Sequence, residues 1–297
     1  MKKTIFVLIL SSLIALTSNA QKRFWEVGIM LGGSNYVGDI NSMFTNGQDD
    51  SKEWNQFESS FNFYNIHFLG GLVARYNYNP RWSFRGSVSF SRLSGDDKHF
   101  DNSRNLNFYS NIQEFAATAE FNFLDYRTGS LQHRITPYMF AGLALFHFNP
   151  KTTMIDSKSN EEITLSLHDM HTEGQTFYND KGNYHLWQLS IPFGLGMKFS
   201  LGKYVCIGLE WGFRKTFTDY IDDISTEYVG RQQMVRNVNE NASLVADRTH
   251  ELDDHAGVYH EEGEMRGNRT TKDWYNFFGV SITSRISNGH KKCLKNR

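Results

Sequence analysis

From His185 to Leu201 the chain reads HLWQLSIPFGLGMKFSL, and its polarity switches at every residue. Trp187, Leu189, Ile191, Phe193, Leu195, Met197, Phe199 and Leu201 share one parity. Gln188, Ser190, Pro192, Gly194, Gly196, Lys198 and Ser200 share the other. A period of two is a strand with two unlike faces; no helix repeats that way. Arg81–Ser91, Tyr204–Phe217 and Asp273–Ile286 repeat the pattern, and weaker copies fall at Phe24–Val37, Asn65–Asn79, Asn105–Phe123 and Ile135–Asn149. Both faces of Ile135–Asn149 are apolar, so alternation does not assign its inward side.

These eight segments are joined by connections of two kinds. Asn79–Arg81 and Leu201–Lys203 are tight and Leu124–Arg134 is moderate, whereas Asp39–Tyr64, Leu93–Arg104, Pro150–Tyr184 and Thr218–Lys272 are long. An even number of strands, with short turns at one end and long loops at the other, predicts an all-β fold. It is an eight-stranded antiparallel up-and-down transmembrane β-barrel with short periplasmic turns and long extracellular loops. A soluble barrel or sandwich would turn its apolar faces inward. Three features favour the membrane arrangement: the polar faces are mostly Gly, Ser and Ala, the apolar faces end in aromatics such as Trp82 and Phe90, and the loops are asymmetric.

Composition adds detail. Aromatics make up 15% of the 297 residues, with 24 Gly and only 4 Pro, which together with the period-two patterning points to β-structure and to barrels in particular. The first residues, MKKTIFVLILSSLIALTSNAQ, have two lysines, an apolar run and an A-x-A-like site ending at Ala20. They predict a signal peptide over 1–20, a barrel over 21–286 and a basic tail over 287–297. No run of about 18 apolar residues suggests a membrane helix. A net charge of −1 gives no bulk case for nucleic-acid binding, and outer-membrane lipid is the expected surround.

Alternation places Glu26, Arg75, Arg85, Glu114, Glu120, Lys198, Glu210, Arg214 and Arg285 inside the barrel. Eight strands leave an interior just wide enough for side chains, so paired charges filling the lumen are expected rather than an ion path. Cys206 faces the lumen and Cys293 lies in the tail, at depths too different for a disulfide. His250, His255 and His260 recur every five residues among carboxylates, one residue too far apart for H-E-x-x-H. His168 and His171 stand near Glu173, without a third fixed ligand. Asp219, Asp222 and Asp223 in TFTDYIDDIS mark a strand exit, with Phe217 and Tyr220 at the lipid interface and the carboxylates in the headgroup or aqueous zone. A metal at either the histidine or the aspartate set is a weaker alternative. No nucleophile elbow appears, and neither catalysis nor a cofactor is expected. The tail residues Lys291, Lys292, Lys295 and Arg297 could grip an acidic partner or remain solvated.

Several stretches taken together resemble the PorG family: EVGIMLGGSNYVGDI (Glu26–Ile40), FHFNP (Phe146–Pro150), HTEGQ (His171–Gln175), IPFGLGMKF (Ile191–Phe199) and GLEWGFRKTFTDYIDDIS (Gly208–Ser225). The resemblance implies a non-enzymatic outer-membrane barrel of the type IX secretion system, anchoring a periplasmic ring of PorK and PorN type. It carries over no ring-contact residue. A small ligand-binding or transport barrel is the alternative. The histidine-bearing stretch 250–264 departs from the family pattern.

Overall fold

The structure, a computed structural model, describes residues 23–40, 65–99, 104–156, 158–178, 182–252, 255 and 257–286. The expected signal peptide and the tail residues Lys291, Lys292, Lys295 and Arg297 lie outside them. Eight long strands form a closed antiparallel barrel: β1 (Phe24–Val37), β2 (His67–Asn77), β3 (Trp82–Asp96), β4 (Asn107–Asn122), β5 (Ile135–His147), β8 (Trp187–Leu201), β9 (Val205–Thr216) and β10 (Trp274–Arg285). Closure is made by β1 against β10, from Glu26 opposite Arg285 to Val37 opposite Trp274. The expected strand positions hold, with one extension: β3 runs to Asp96 because β4 pairs with it as far as Asn107.

Outside the barrel wall, β6 (Pro150–Ile155) and β7 (Glu162–Ser166) form a hairpin docked on the start of β4. Three short helices, α1 (Leu167–Met170), α2 (Arg231–Asn237) and α3 (Glu240–Ala246), also sit in the long connections. No sequence signal had placed structure there.

The wall has two unlike faces. Leu72, Leu143 and Leu195 are each more than 60% exposed, mid-strand, on the outer face. A contiguous apolar belt of this kind is costly in water and is the lipid contact of a membrane barrel. Aromatic pairs border it at both levels: Trp25–Tyr76 and Trp82–Phe121 near the short turns, and Phe193–Trp274 near the long loops. The inner face is crowded, and glycine is required where strands coil closely past each other. A Cβ added at Gly28 would lie 1.9 Å from the Ile282 carbonyl oxygen. For β5, the structure decides what alternation left open: Tyr138, Phe140, Ala144 and Phe146 face inward, while Met139, Leu143 and Leu145 face outward.

Candidate functional site

Three buried layers fill the barrel from one end to the other. The middle layer is a network of paired charges. Glu120 accepts from Lys198 Nζ at 2.6 Å and Arg75 Nε at 2.8 Å, with Arg85 Nε at 3.3 Å. Arg75 also reaches Glu26 at 3.1 Å, and Arg85 pairs with Glu210. Higher up, Arg214 pairs with Glu114 at 3.2 Å. These eight side chains are 0–5% exposed. They come from six different strands: Arg75–Glu26 and Arg85–Glu120 join neighbouring strands, while Arg85–Glu210 and Arg214–Glu114 tie the wall across the lumen. Arg285 stands apart from them. It lies at the short-turn mouth with its guanidinium 4.3 Å from the centre of the Phe24 ring.

Neutral groups complete the network. Tyr138 Oη donates to Glu210 at 2.7 Å, Tyr275 Oη donates to Glu114 at 2.8 Å, and Lys198 donates to Asn122 Oδ1 at 2.9 Å. A carboxylate in a low-dielectric interior needs its lone pairs satisfied as well as its charge balanced. Tyr138 went unrecognised in the sequence because the two faces of β5 look alike.

The second layer closes the short-turn end. The connection between β4 and β5 folds inward: Tyr126 and Thr128 are buried, and Thr128 Oγ1 donates to Glu26 on the far wall. Gly129 N–H is held by Ser200 Oγ at 2.8 Å. Cys206 is buried nearby, where Arg75 Nη1 approaches its Sγ at 4.0 Å.

The third layer is a cap over the long-loop end, and four of the five stretches quoted for the family resemblance meet in it, Ile191–Phe199 lying in the β8 wall. Tyr36 Oη donates to Asp273 Oδ1 at 2.6 Å, and Ile40 N–H donates to Asp222 Oδ2 at 3.3 Å. Asp39 accepts the Asn268 N–H at 2.7 Å. Thr172 donates to Asp223, whose other oxygen accepts from Tyr184 Oη at 2.7 Å. Glu173 receives the Ser225 and Thr226 N–H groups at 2.8 and 3.0 Å and pairs with Arg266 at 3.2 Å. Arg104 pairs with Asp97 at 3.1 Å, and donates to the carbonyls of Arg266 and Asp39 at 2.6 and 3.0 Å. Beneath these groups, Tyr36, Phe146, Phe148, Ile221, Ile224 and Tyr275 belong to one apolar cluster.

Asp219, Asp222 and Asp223 are thus not at the lipid or water boundary. Each is at most 3% exposed. The expectation of solvated carboxylates at a strand exit fails because the chain after Thr216 turns inward over the mouth. Tyr220 leaves the interface as well: its ring stacks on Tyr184 at 4.6 Å. Phe217 remains outward and exposed. The cap is rich in acid. Eight buried carboxylates (Asp39, Asp97, Glu173, Asp219, Asp222, Asp223, Asp247 and Asp273) face Arg104, Arg266, the Glu251-paired Arg248 and the half-exposed Lys272. Burial pushes Asp39 and Asp219 up to about 7 and Asp223 up to about 6, the last opposed chiefly by Arg266. Asp222 and Asp273 are raised well above the carboxylate range, first by burial and then by neighbouring carboxylates.

The histidines do not converge. His250 Nδ1 contacts the Asp247 carbonyl at 2.9 Å, and its ring stacks on Tyr259. His260 contacts Asp247 Oδ2 at 3.1 Å and stacks on Tyr228, while His255 is exposed. His168 bonds Asp169 and the Tyr184 carbonyl, and His171 adopts a left-handed conformation at the end of α1. Among the described residues no three His, Cys, Asp or Glu side chains are arranged to hold a metal ion, and this includes the Asp219–Asp223 set.

Solved structures similar to this chain include an outer-membrane protein and a β-barrel domain. Ail, the attachment invasion locus protein of Yersinia pestis in complex with the heparin analogue sucrose octasulfate, is 11% identical (TM-score 0.37), covering 90% of this chain and 100% of its own. Neisserial surface protein A is 8% identical (TM-score 0.38), with the same coverage. The N-terminal β-barrel domain of Pseudomonas aeruginosa OprF is 11% identical (TM-score 0.31), covering 89% and 100%. No curated protein matches the sequence. Residues 2–170, more than half of the chain, match the model of a family described as a domain of unknown function, DUF6089, and the protein belongs to that family.

Proposed function

We propose that the protein is an outer-membrane component of the type IX secretion machinery. In this reading the short turns and both chain termini face the periplasm, where the protein anchors a ring of PorK and PorN type. Its role is structural rather than catalytic, and it needs no cofactor.

The observation that carries this reading is the convergence in the cap. The Glu26–Ile40, Phe146–Pro150, His171–Gln175 and Gly208–Ser225 stretches carry the family resemblance and are far apart in sequence. They supply Tyr36 and Asp39, Phe146 and Phe148, Thr172 and Glu173, and Asp222 and Asp223 to one buried assembly. Short matches that arose by chance would have no reason to contact one another. Together they describe one structural unit.

A filled lumen also favours anchoring over transport. The paired charges and the inward-folded β4–β5 connection occupy the space a ligand or channel would need. Isolation of the protein from solubilised outer membranes tests the reading. The expected result is co-isolation of a ring of PorK/PorN type, and loss of secretion on deletion. A barrel that comes out alone, in cells that still secrete after its deletion, refutes it. Steady single-channel conductance in planar bilayers would instead revive the transport alternative.

A further inference from the structure

The two ends of the barrel differ in charge. Among the described residues at the long-loop end (38–40, 65–66, 97–106, 148–186 and 217–273) there are 18 carboxylates against 10 lysines and arginines. The short-turn end inverts this balance. Outside the lumen it carries Arg23, Arg81, Arg127, Arg134, Lys203 and Arg285, and one carboxylate, Asp125. Asp125 is engaged by Arg81 at 2.6 Å. Arg23 and Arg285 lie over the Tyr78 and Phe24 rings. That leaves Arg127, Arg134 and Lys203 exposed, with no ion pair among the described residues.

These three cations share a fixed platform. The β4–β5 connection spans the mouth, because Thr128 reaches Glu26 on β1, across the lumen from β4 and β5. Arg127 N–H donates to the His133 carbonyl at 3.1 Å and Ser130 N–H to the Arg127 carbonyl at 3.0 Å, closing a compact loop. Gly129 sits at φ +88 against the β8–β9 turn, where an added Cβ would be 2.6 Å from the Lys203 carbonyl oxygen. Leu131, at the tip of this loop, is 79% exposed, more than any other large apolar side chain among the described residues. An exposed apolar side chain on a tied-down loop that shares its mouth with three cations outside any ion pair has the composition of a docking centre with a charged rim.

We propose that this mouth is a docking face for an acidic protein surface. Leu131 is the apolar anchor, and Arg127, Arg134 and Lys203 are the charges that orient the partner. The inference rests on the secretion reading for the identity of the partner and supplies the contact residues that reading lacks. Phosphate headgroups could satisfy the cations alone. They leave no role for an apolar anchor on a loop that lies over the mouth instead of on the lipid-facing wall.

The test uses the full chain in nanodiscs with the purified PorK/PorN-type ring proteins of the same bacterium. Two variants are compared with wild type, the triple reversal R127E/R134E/K203E and Leu131→Asp, each first shown to be folded by heat-modifiable migration. The reversal is expected to weaken ring binding by at least roughly tenfold and to flatten its salt dependence. Leu131→Asp is expected to weaken it about tenfold at all salt concentrations. If wild type binds the ring and the folded reversal binds equally well, the docking face is wrong and the secretion reading stands. A wild type that binds no ring protein ends both. Phosphatidylglycerol vesicles are a third arm: displacement of the ring from wild type by vesicles that ignore the reversed variant would make the mouth a lipid site and overturn the proposal.

Discussion

The lumen and the cap bury charge by opposite rules. In the lumen, Glu26, Glu114, Glu120 and Glu210 meet Arg75, Arg85, Lys198 and Arg214, four against four. In the cap, eight buried carboxylates meet Arg104, Arg248, Arg266 and Lys272. Both are buried, yet only the first balances with ionised groups alone. The cap must keep some of its carboxyls protonated or lose contacts. A buried charge without a partner costs several kcal/mol, so an excess of acid makes the cap the part whose stability depends on conditions. Rigid strands position the lumen network. Loops position the cap, and units built from loops open at lower free-energy cost than core strands.

The largest expected effect breaks the lumen. Among the described residues Glu120 is the only carboxylate paired with Lys198, and it also serves Arg75 and Arg85. Glu120→Ala leaves those cations buried around an empty centre and is expected to lower barrel stability by about 5 kcal/mol. Urea unfolding in lipid, followed by heat-modifiable migration, measures it. A loss below about 1 kcal/mol would mean that water or rearranged partners replace the carboxylate, and that the network is looser than its geometry indicates.

These two regions were not equally legible in the sequence. The barrel was, because the side-chain period of two sorts lipid-facing from lumen-facing residues without knowledge of partners. Eight of the nine lumen positions assigned by alternation form the pairs described. The exception, Arg285, sits at the mouth because its strand ends there. The cap was not legible, since its contacts join residues up to 237 positions apart, as Tyr36 and Asp273 are, and no local periodicity encodes them. Asp219, Asp222 and Asp223 looked like an exit into water for this reason. Arg104 and Arg266 carried no signal beyond being arginines in long connections. The resemblance motifs were the one trace of the cap, and they marked its residues without revealing that they touch.

The next effect confines damage to the cap. Arg266 pairs with Glu173 and donates to the Ala246 carbonyl at 3.1 Å, tying α3 to the TEGQ and TDYIDD stretches. Arg266→Ala is expected to make opening of the 217–273 connection easier by about 3 kcal/mol. Limited proteolysis of folded protein in nanodiscs should show faster cleavage in that connection, while barrel unfolding shifts little. Equal losses in both assays would show that cap and wall open as one unit.

Acidity then separates the regions without mutation. A carboxyl whose folded pKa is raised binds more protons in the closed cap than in the open one. Its stabilisation is fully present below the ordinary carboxylate pKa and is lost as pH rises through the folded value. For Asp223 that value is about 6, and for Asp39 and Asp219 about 7. Asp247 acts in the opposite sense, since His260 and two backbone N–H groups lower its pKa against the effect of burial. The acid-rich majority sets the sign. Protease protection of the cap is expected to fall as pH rises from about 4 to 8, by the order of 2 kcal/mol, most steeply between the ordinary carboxylate pKa and about pH 6, and to level off above pH 7. Protection that rises over that range would show that the carboxylates are ionised and held by cations instead.

The smallest effect isolates one hydrogen bond in the cap from the packing around it. Tyr184 donates to Asp223 at 2.7 Å while its ring stacks on Tyr220 at 4.6 Å and on Phe148 at 6.1 Å. Tyr184→Phe keeps both stacks and removes only the hydroxyl. The loss is expected to be about 1 kcal/mol, or roughly fivefold faster cleavage of the cap. Asp223 also receives Thr172 and lies beside Arg266, so its carboxyl keeps other partners. The informative comparison is with pH. If the hydroxyl stabilises an ionised Asp223, the cost of Tyr184→Phe should grow between pH 5 and pH 7, as the carboxyl loses its proton. If it binds the neutral acid equally well, the cost should stay constant. The first outcome would make Asp223 the point where the acid-rich cap comes nearest to the fully paired chemistry of the lumen, because a charge-assisted bond is roughly twice as strong as a neutral one.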